Sequence, residues 1–322
     1  MFEHDYFIKN NRFFEGMDII EEYADAGREG EPYEVETDVG TIRGVFRERS
    51  DDLVFHVPGF TAYGVDFDET AQRVSETYDV SSLWIDLPGQ GMSTGTVNLE
   101  SSAEAVSSIV NDFDDYDVFG VGHSLGSMAL TKASAEGSDL EGIIAMSMPM
   151  NISDGFPLNK HVLTLANDRA FNAFLQSMDV VEGMRNESYK RRTGVLTKID
   201  DDINHITDDS YMRLSSTTWN DTSGFLNDLI RDDSMVDYAG DVDVPILLIN
   251  GSEDTMIDDE DVKRFIEEIN HDQLRYEEVE GNHIFDEYEH FYPFGLKRDE
   301  PINMEKKGLR DVYNDALESL LD

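Results

Sequence analysis

Short apolar runs separated by stretches long enough for crossover helices dominate the pattern of this chain. Leu53 to Val57, Leu83 to Asp86, Val118 to Val121 and Ile143 to Met148 are such runs. The pattern returns near the end, where Pro245 to Asn250 and Leu274 to Val279 bracket a predicted helix over Asp258 to Ile269. Continuous apolar strands alternating with helical segments predict an α/β architecture, a mostly parallel sheet with helices on both faces. Ahead of these runs, Tyr33 to Thr37 and Thr41 to Phe46 flank Asp38-Val39-Gly40, a turn signal between two alternating segments and hence a hairpin. Amphipathic helices are predicted around Phe13 to Tyr23 and over Lys306 to Leu321.

From about Asn151 to Gly240 the alternation lapses. Phe171, Phe174, Leu175 and Met178 fall at i, i+3, i+4 and i+7 there, one apolar stripe of a helix. The expected organisation is an N-terminal extension over 1–34, a main body in two parts over 35–150 and 241–322, and an insertion over 151–240. Packing against the main body is the favoured role of the stripe. No repeat or low-complexity tract interrupts the pattern.

Composition changes the picture mainly through charge. At 322 residues, 39% hydrophobic and 10% aromatic, the chain is too apolar for a disordered one and long enough for a sizeable core. Its 25 Lys+Arg against 69 Asp+Glu give a formal charge of −44. Such a surface repels phosphate backbones and anionic lipid, which disfavours nucleic acid and membrane as partners. The acid is dispersed, as in Asp112 to Asp117 and Asp200 to Asp202, and resembles the surface of halophile proteins, whose self-repulsion salt relieves. Lys190-Arg191-Arg192 reads as a solvated turn balancing neighbouring acids ahead of an anion site. The absence of cysteine excludes disulfides, thiolate nucleophiles and Cys-ligated zinc. Met1 to Tyr6 carry no secretory signal, and the strongest apolar run, Val244 to Ile249, is too short to span a bilayer. A soluble, cytoplasmic protein with no integral membrane association is expected. Its oligomeric state is not encoded in any such pattern.

The candidate chemistry centres on Gly122-His123-Ser124-Leu125-Gly126. Five residues of the form G-x-S-x-G are a weak signal alone. Here a strand, Asp117 to Val121, runs into them and a helix, Ser127 to Ala133, leaves them, as a nucleophile on a sharp strand-to-helix bend requires. Ser124 is the candidate nucleophile. A serine hydroxyl needs a base, and the base needs an acid to orient it. Of 8 histidines, His283 follows the strand Leu274 to Val279 after a Glu280-Gly281-Asn282 turn, whereas His123 packs beneath the elbow and His56 lies in or beside a strand. The acid is sought beyond the preceding strand, where Asp254 is favoured by the Gly251 turn, with Glu253 and Asp258 as close competitors. The chain order is then serine, acid, histidine. No G-x-x-x-x-G-K-[ST] loop and no H-E-x-x-H pair is present, and Gly120, Gly122 and Gly126 have the wrong spacing for a dinucleotide turn.

These motifs resemble those of the α/β-hydrolases over about Val35 to Leu321, with the insertion at the cap position. Asp86-Leu87-Pro88-Gly89-Gln90-Gly91-Met92-Ser93 is similar to that family's D-x-P-G-x-G-x-S turn, Pro245 to Asp254 to its acid strand, and Gly281-Asn282-His283 to the turn before its base. Val57-Pro58-Gly59-Phe60 stands at the oxyanion turn, with Pro58 in place of the usual His. The resemblance implies Ser124, Asp254 and His283 as a catalytic triad and the N–H groups of Leu125 and Phe60 as the oxyanion hole. It implies a serine hydrolase acting on a small-molecule carboxylic ester or thioester, without cofactor or metal. The insertion becomes a lid, with Phe60, Phe171, Phe174 and Met178 as candidate substrate-binding residues. An acyltransferase or a carbon–carbon bond hydrolase could use the same triad. A ligand-binding member without activity is disfavoured by the intact Ser124, Asp254 and His283.

Overall fold

The structure is a computed structural model that describes residues 26–27, 30–60, 62–151, 234–254, 256–269, 274–283, 285, 291–292, 295–296 and 308–321. The predicted helix around Phe13 to Tyr23, the stripe of Phe171, Phe174, Leu175 and Met178, and the Lys190-Arg191-Arg192 cluster lie outside the described residues.

The hairpin signal is a hairpin: β1 (Glu31–Thr37) pairs antiparallel with β2 (Gly40–Arg47), from Glu31 opposite Phe46 to Thr37 opposite Gly40. The apolar runs become β3 (Asp52–Val57), β4 (Ser81–Ile85), β5 (Asp117–His123), β6 (Gly142–Met146), β7 (Ile246–Gly251) and β8 (Leu274–Val279). All eight form one sheet in the order β1-β2-β4-β3-β5-β6-β7-β8. From β4 to β8 every pairing is parallel, and β2 joins β4 antiparallel. A separate two-residue pair, β9 (Phe291–Tyr292) with β10 (Gly295–Leu296), precedes the last helix.

Period-2 alternation divides each inner strand between two cores. Leu53, Phe55, Leu83, Ile85, Ile143, Ala145, Ile246 and Leu248 face one helical layer. It is built by α2 (Leu99–Asp112), α3 (Leu125–Ala135), α4 (Met235–Ala239) and α5 (Asp259–Glu268). Val54, Trp84, Val121, Ile144, Met146, Leu247 and Ile249 face the other, with α1 (Asp68–Tyr78) and α6 (Leu309–Leu321). Both faces are therefore dry, which is why these strands read as continuous apolar runs. Side-chain caps set where helices begin. Asn98 accepts from the Ser101 N–H ahead of α2, and Asp258 accepts from those of Glu260 and Asp261 ahead of α5.

Beyond β6, Asn151 and Ser234 form an isolated antiparallel bridge, followed by a hydrogen bond from the Met235 N–H to the Met150 carbonyl. Met235, Val236 and Ala239 of α4 belong to the core on this face of the sheet.

His56 is an unusual core residue, fully buried in β3 with its Nε2 3.2 Å from the Tyr313 hydroxyl of α6 and its ring beside Phe67. Burial pushes its pKa from 6.5 down to about 4. Between those values the unfolded chain binds a proton that the folded chain refuses, so His56 lowers stability as pH falls through this window. In urea titrations from pH 7 to 4.5, wild type should lose stability relative to His56→Gln by up to about 1.4 kcal/mol per pH unit. Parallel curves would show that the ring is protonated in the fold.

Candidate active site

Three parallel strands of one sheet, β5, β7 and β8, with β6 between the first two, deliver one side chain each to a common point at their C-terminal ends. Ser124 lies between β5 and α3 with φ 51° and ψ −117°, a conformation that costs a non-glycine residue about 1–3 kcal/mol unless its surroundings enforce it. They do: its N–H donates to the Met146 carbonyl of β6 at 2.9 Å, and its carbonyl accepts from the Met128 N–H at 3.1 Å. The bend is so tight that a methyl carbon at Gly122 would lie 2.5 Å from the Ser127 nitrogen. One at Gly126 would lie 2.2 Å from the Val57 carbonyl oxygen of β3. Glycines two residues either side of Ser124 are a steric necessity.

Asp254 and His283 are brought together by two touching turns. The Ser252 N–H donates to the Val279 carbonyl at 2.8 Å and the Glu253 N–H to the Gly281 carbonyl at 2.8 Å, fastening the chain after β7 to the chain after β8. Asp254 Oδ1 accepts from the Met256 N–H at 2.9 Å, leaving Oδ2 2.8 Å from His283 Nδ1. His283 Nε2 is 2.9 Å from Ser124 Oγ. With Nδ1–H donating to the carboxylate, Nε2 is left as the acceptor of a hydrogen bond from the Ser124 hydroxyl. The carboxylate is 1% exposed and the imidazole 14%, so Asp254 is shut from water while the His283 ring edges toward it.

The two competitors for the acid have other places. Asp258 caps α5, and Glu253 is exposed on the turn. The turn after β3 lies against Ser124, since a methyl carbon at Gly59 would sit 3.1 Å from Ser124 Cβ. Half-buried Phe60 follows, and buried Leu125 opens α3, where the first N–H groups of a helix lack partners within it. The D-x-P-G-x-G-x-S stretch braces this turn. Buried Asp86 accepts from the N–H groups of Gly64 and Met92, both at 2.8 Å, and Gln90 Nε2 donates to the Gly59 carbonyl at 3.2 Å. Sequence reasoning missed the contacts of Gln90 and those of His123, because each depends on a loop remote in sequence. His123 lies beneath the elbow as expected, but its Nε2 also reaches the His283 carbonyl at 2.8 Å. Burial first, and the neighbouring His283 second, push its pKa down to about 3. Among the described residues no group of three or more His, Asp or Glu is placed to hold a metal ion, and no helix is long and apolar enough to cross a membrane.

The sequence matches the family described as serine aminopeptidase, S33, over residues 48–283. Among solved structures, a hydrolase from Pseudomonas aeruginosa superposes with a TM-score of 0.59 at 15% identity, covering 91% of this chain and 98% of its own. An esterase from Pyrococcus furiosus gives 0.57 at 12%, covering 92% of each chain. A thermophilic esterase from Thermogutta terrifontis gives 0.55 at 14%, covering 90% and 99%. The chain matches no curated protein sequence. At such identities these likenesses show the fold, an α/β-hydrolase fold with its mostly parallel sheet.

The steric demand at the elbow yields a test. Gly126→Ala would drive a methyl group into the Val57 carbonyl and should lower unfolding free energy by about 1–3 kcal/mol, the usual cost of overpacking. Unchanged stability by urea denaturation would mean that the bend relaxes freely.

Proposed function

The chain belongs to the serine aminopeptidase family of α/β-hydrolases, and on that premise we propose that it hydrolyses carboxylic esters or thioesters through an acyl-enzyme on Ser124. The observation that carries this reading is the unbroken hydrogen-bond chain from Ser124 Oγ through His283 to the buried Asp254 carboxylate. His283 removes the hydroxyl proton as Oγ attacks the carbonyl carbon, and Asp254 holds the imidazole in its Nδ1–H tautomer and stabilises the imidazolium. The N–H groups of Leu125 and Phe60 receive the oxyanion. Collapse of the tetrahedral intermediate expels the alcohol or thiol, which takes the proton from His283. Water then repeats the attack on the acyl-enzyme, and the free acid leaves. The inserted residues, including Phe171, Phe174 and Met178, together with Phe60, are proposed to line the substrate pocket. The charge of −44 supports operation in concentrated salt, where self-repulsion is screened.

The family's description concerns peptide bonds, so amides belong in the test beside esters. Wild type and Ser124→Ala are compared on p-nitrophenyl esters from acetate to palmitate and on amino-acid p-nitroanilides, at low salt and in ~2–4 M KCl. Ester turnover in high salt is expected, falling to background in Ser124→Ala. Turnover retained by that variant, or absent from folded wild type at either salt, would sink the proposal. Exclusive anilide turnover would make it a peptidase, and product transfer to added alcohol or thiol a transferase. Asp254→Asn should lower kcat by about 10⁴-fold, since an amide favours the wrong imidazole tautomer. A loss below tenfold would mean that Asp254 does not orient the base.

A further inference from the structure

We propose that His123 is a positioning residue that holds the main chain of His283 in register with Ser124. The inference rests on the assignment of Ser124, His283 and Asp254 given above and adds a fourth member acting through the third. His283 sits in a loop rather than a strand, between Gly281 at φ +144° and Phe285 at φ 62°. Asp254 fixes the rotation of its ring through Nδ1 but leaves its backbone unspecified. His123 supplies that constraint. Its Nε2 faces a carbonyl, which can only accept, so Nε2 carries the hydrogen and donates to the His283 oxygen at 2.8 Å.

A closed ring of contacts results. Ser124 Oγ meets the His283 side chain at 2.9 Å, while the residue peptide-bonded to Ser124 meets the His283 main chain. Nucleophile and base are therefore tied twice, and a shift of the base loop must break both ties. The rings of His123 and His283 have centroids 5.1 Å apart, close enough to keep the base from tilting inward. The other nitrogen, Nδ1, lies 3.0 Å from where a methyl carbon on Gly59 would stand, so the same ring also abuts the turn before Phe60.

The chemistry of that nitrogen argues for a role beyond filling space. Nδ1 is buried with no hydrogen-bond partner among the described residues. An apolar side chain would fill the place without stranding an acceptor. What only the imidazole brings is a rigid N–H at the reach of the His283 carbonyl. Its low pKa, about 3, keeps it neutral near pH 7, so it anchors the base without adding a competing charge.

The test compares His123→Met with His123→Gln in the full chain at high salt. Both side chains are unbranched and of similar length, but only Gln retains a donor. Labelling of Ser124 by a fluorophosphonate, followed by mass spectrometry, reports activation of the nucleophile without depending on the true substrate. In His123→Met the labelling rate should fall by about 10- to 100-fold, the scale of an ångström-sized misplacement, with kcat falling and KM nearly unchanged. His123→Gln should recover most of the rate. Wild-type labelling in His123→Met, or equal losses in both variants, would overturn the positioning role. Should His123→Met not fold, nitrogen-15 NMR of histidine-labelled wild type decides, since a hydrogen on Nδ1 of His123 rather than Nε2 contradicts the bond. Wild type that resists labelling at Ser124 would instead remove the triad on which the inference stands, an outcome distinct from unequal labelling among variants.

Discussion

The reversal of the chain at Ser124 is the constraint on which the rest of the site depends. A parallel strand must end and a helix begin within one residue, and the turn is pressed between β3 and β6. The Val57 carbonyl closes over Gly126 on one side, and the Met146 carbonyl takes the Ser124 N–H on the other. That pressure supplies the energy that holds a non-glycine residue at φ 51°. It also explains why the site sits in the middle of the sheet. Only a strand flanked by parallel neighbours on both sides offers carbonyls at its end to grip such a turn, and β5 lies between β3 and β6.

From this fixed point the other groups are reached by registry. Parallel pairing puts the C-terminal ends of β5, β6, β7 and β8 at one edge of the sheet, so the turns after β7 and β8 must meet there. Their contact is specific: Glu253 donates its N–H to Gly281, and Gly251 and Gly281 approach too closely for side chains. Asp254 and His283, 29 residues apart in sequence, become hydrogen-bonded neighbours through backbone geometry before any side-chain chemistry is invoked.

This division accounts for what the sequence reveals. Strands buried on both faces announce themselves as apolar runs, and β8 is predicted to the residue, Leu274–Val279, although much of its surface is exposed. Ser124 is legible because its glycines are steric requirements of the turn. The choice among Glu253, Asp254 and Asp258 is less legible, since all three are acids after a strand. The structure separates them by job: an exposed turn residue, a partner of His283, and the cap of α5. The contacts of His123 and Gln90 have no local signature, for their partners, His283 and Gly59, are 160 and 31 residues away. Likewise α4 is five residues long, too short to show a helical period, and it is set beside the core by the bridge between Asn151 and Ser234.

The charge imbalance bears on the same elbow through the scarcity of cations. With 25 basic residues against 69 acidic ones, a lysine placed inside the body is a specific commitment. Lys132 lies in α3, two turns beyond Ser124, with its side chain 5% exposed. Burial alone would lower its pKa, but hydrogen bonds to Glu136 and Tyr238 and the nearby Glu100 hold it charged, above the ordinary lysine range. Its ammonium also lies 4.5 Å from the centre of the Tyr238 ring. Glu100 lies in the first turn of α2 and Tyr238 belongs to α4, so one cation joins three helices of the same layer. Surface carboxylates that would otherwise repel one another are thereby converged on a single charge. The lysine end of these pairs is buried, whereas the carboxylates of Glu100 and Glu136 remain 66% and 47% exposed and open to screening by salt. The helix that begins at the Ser124 bend is thereby tied to α2 and α4 through one ammonium.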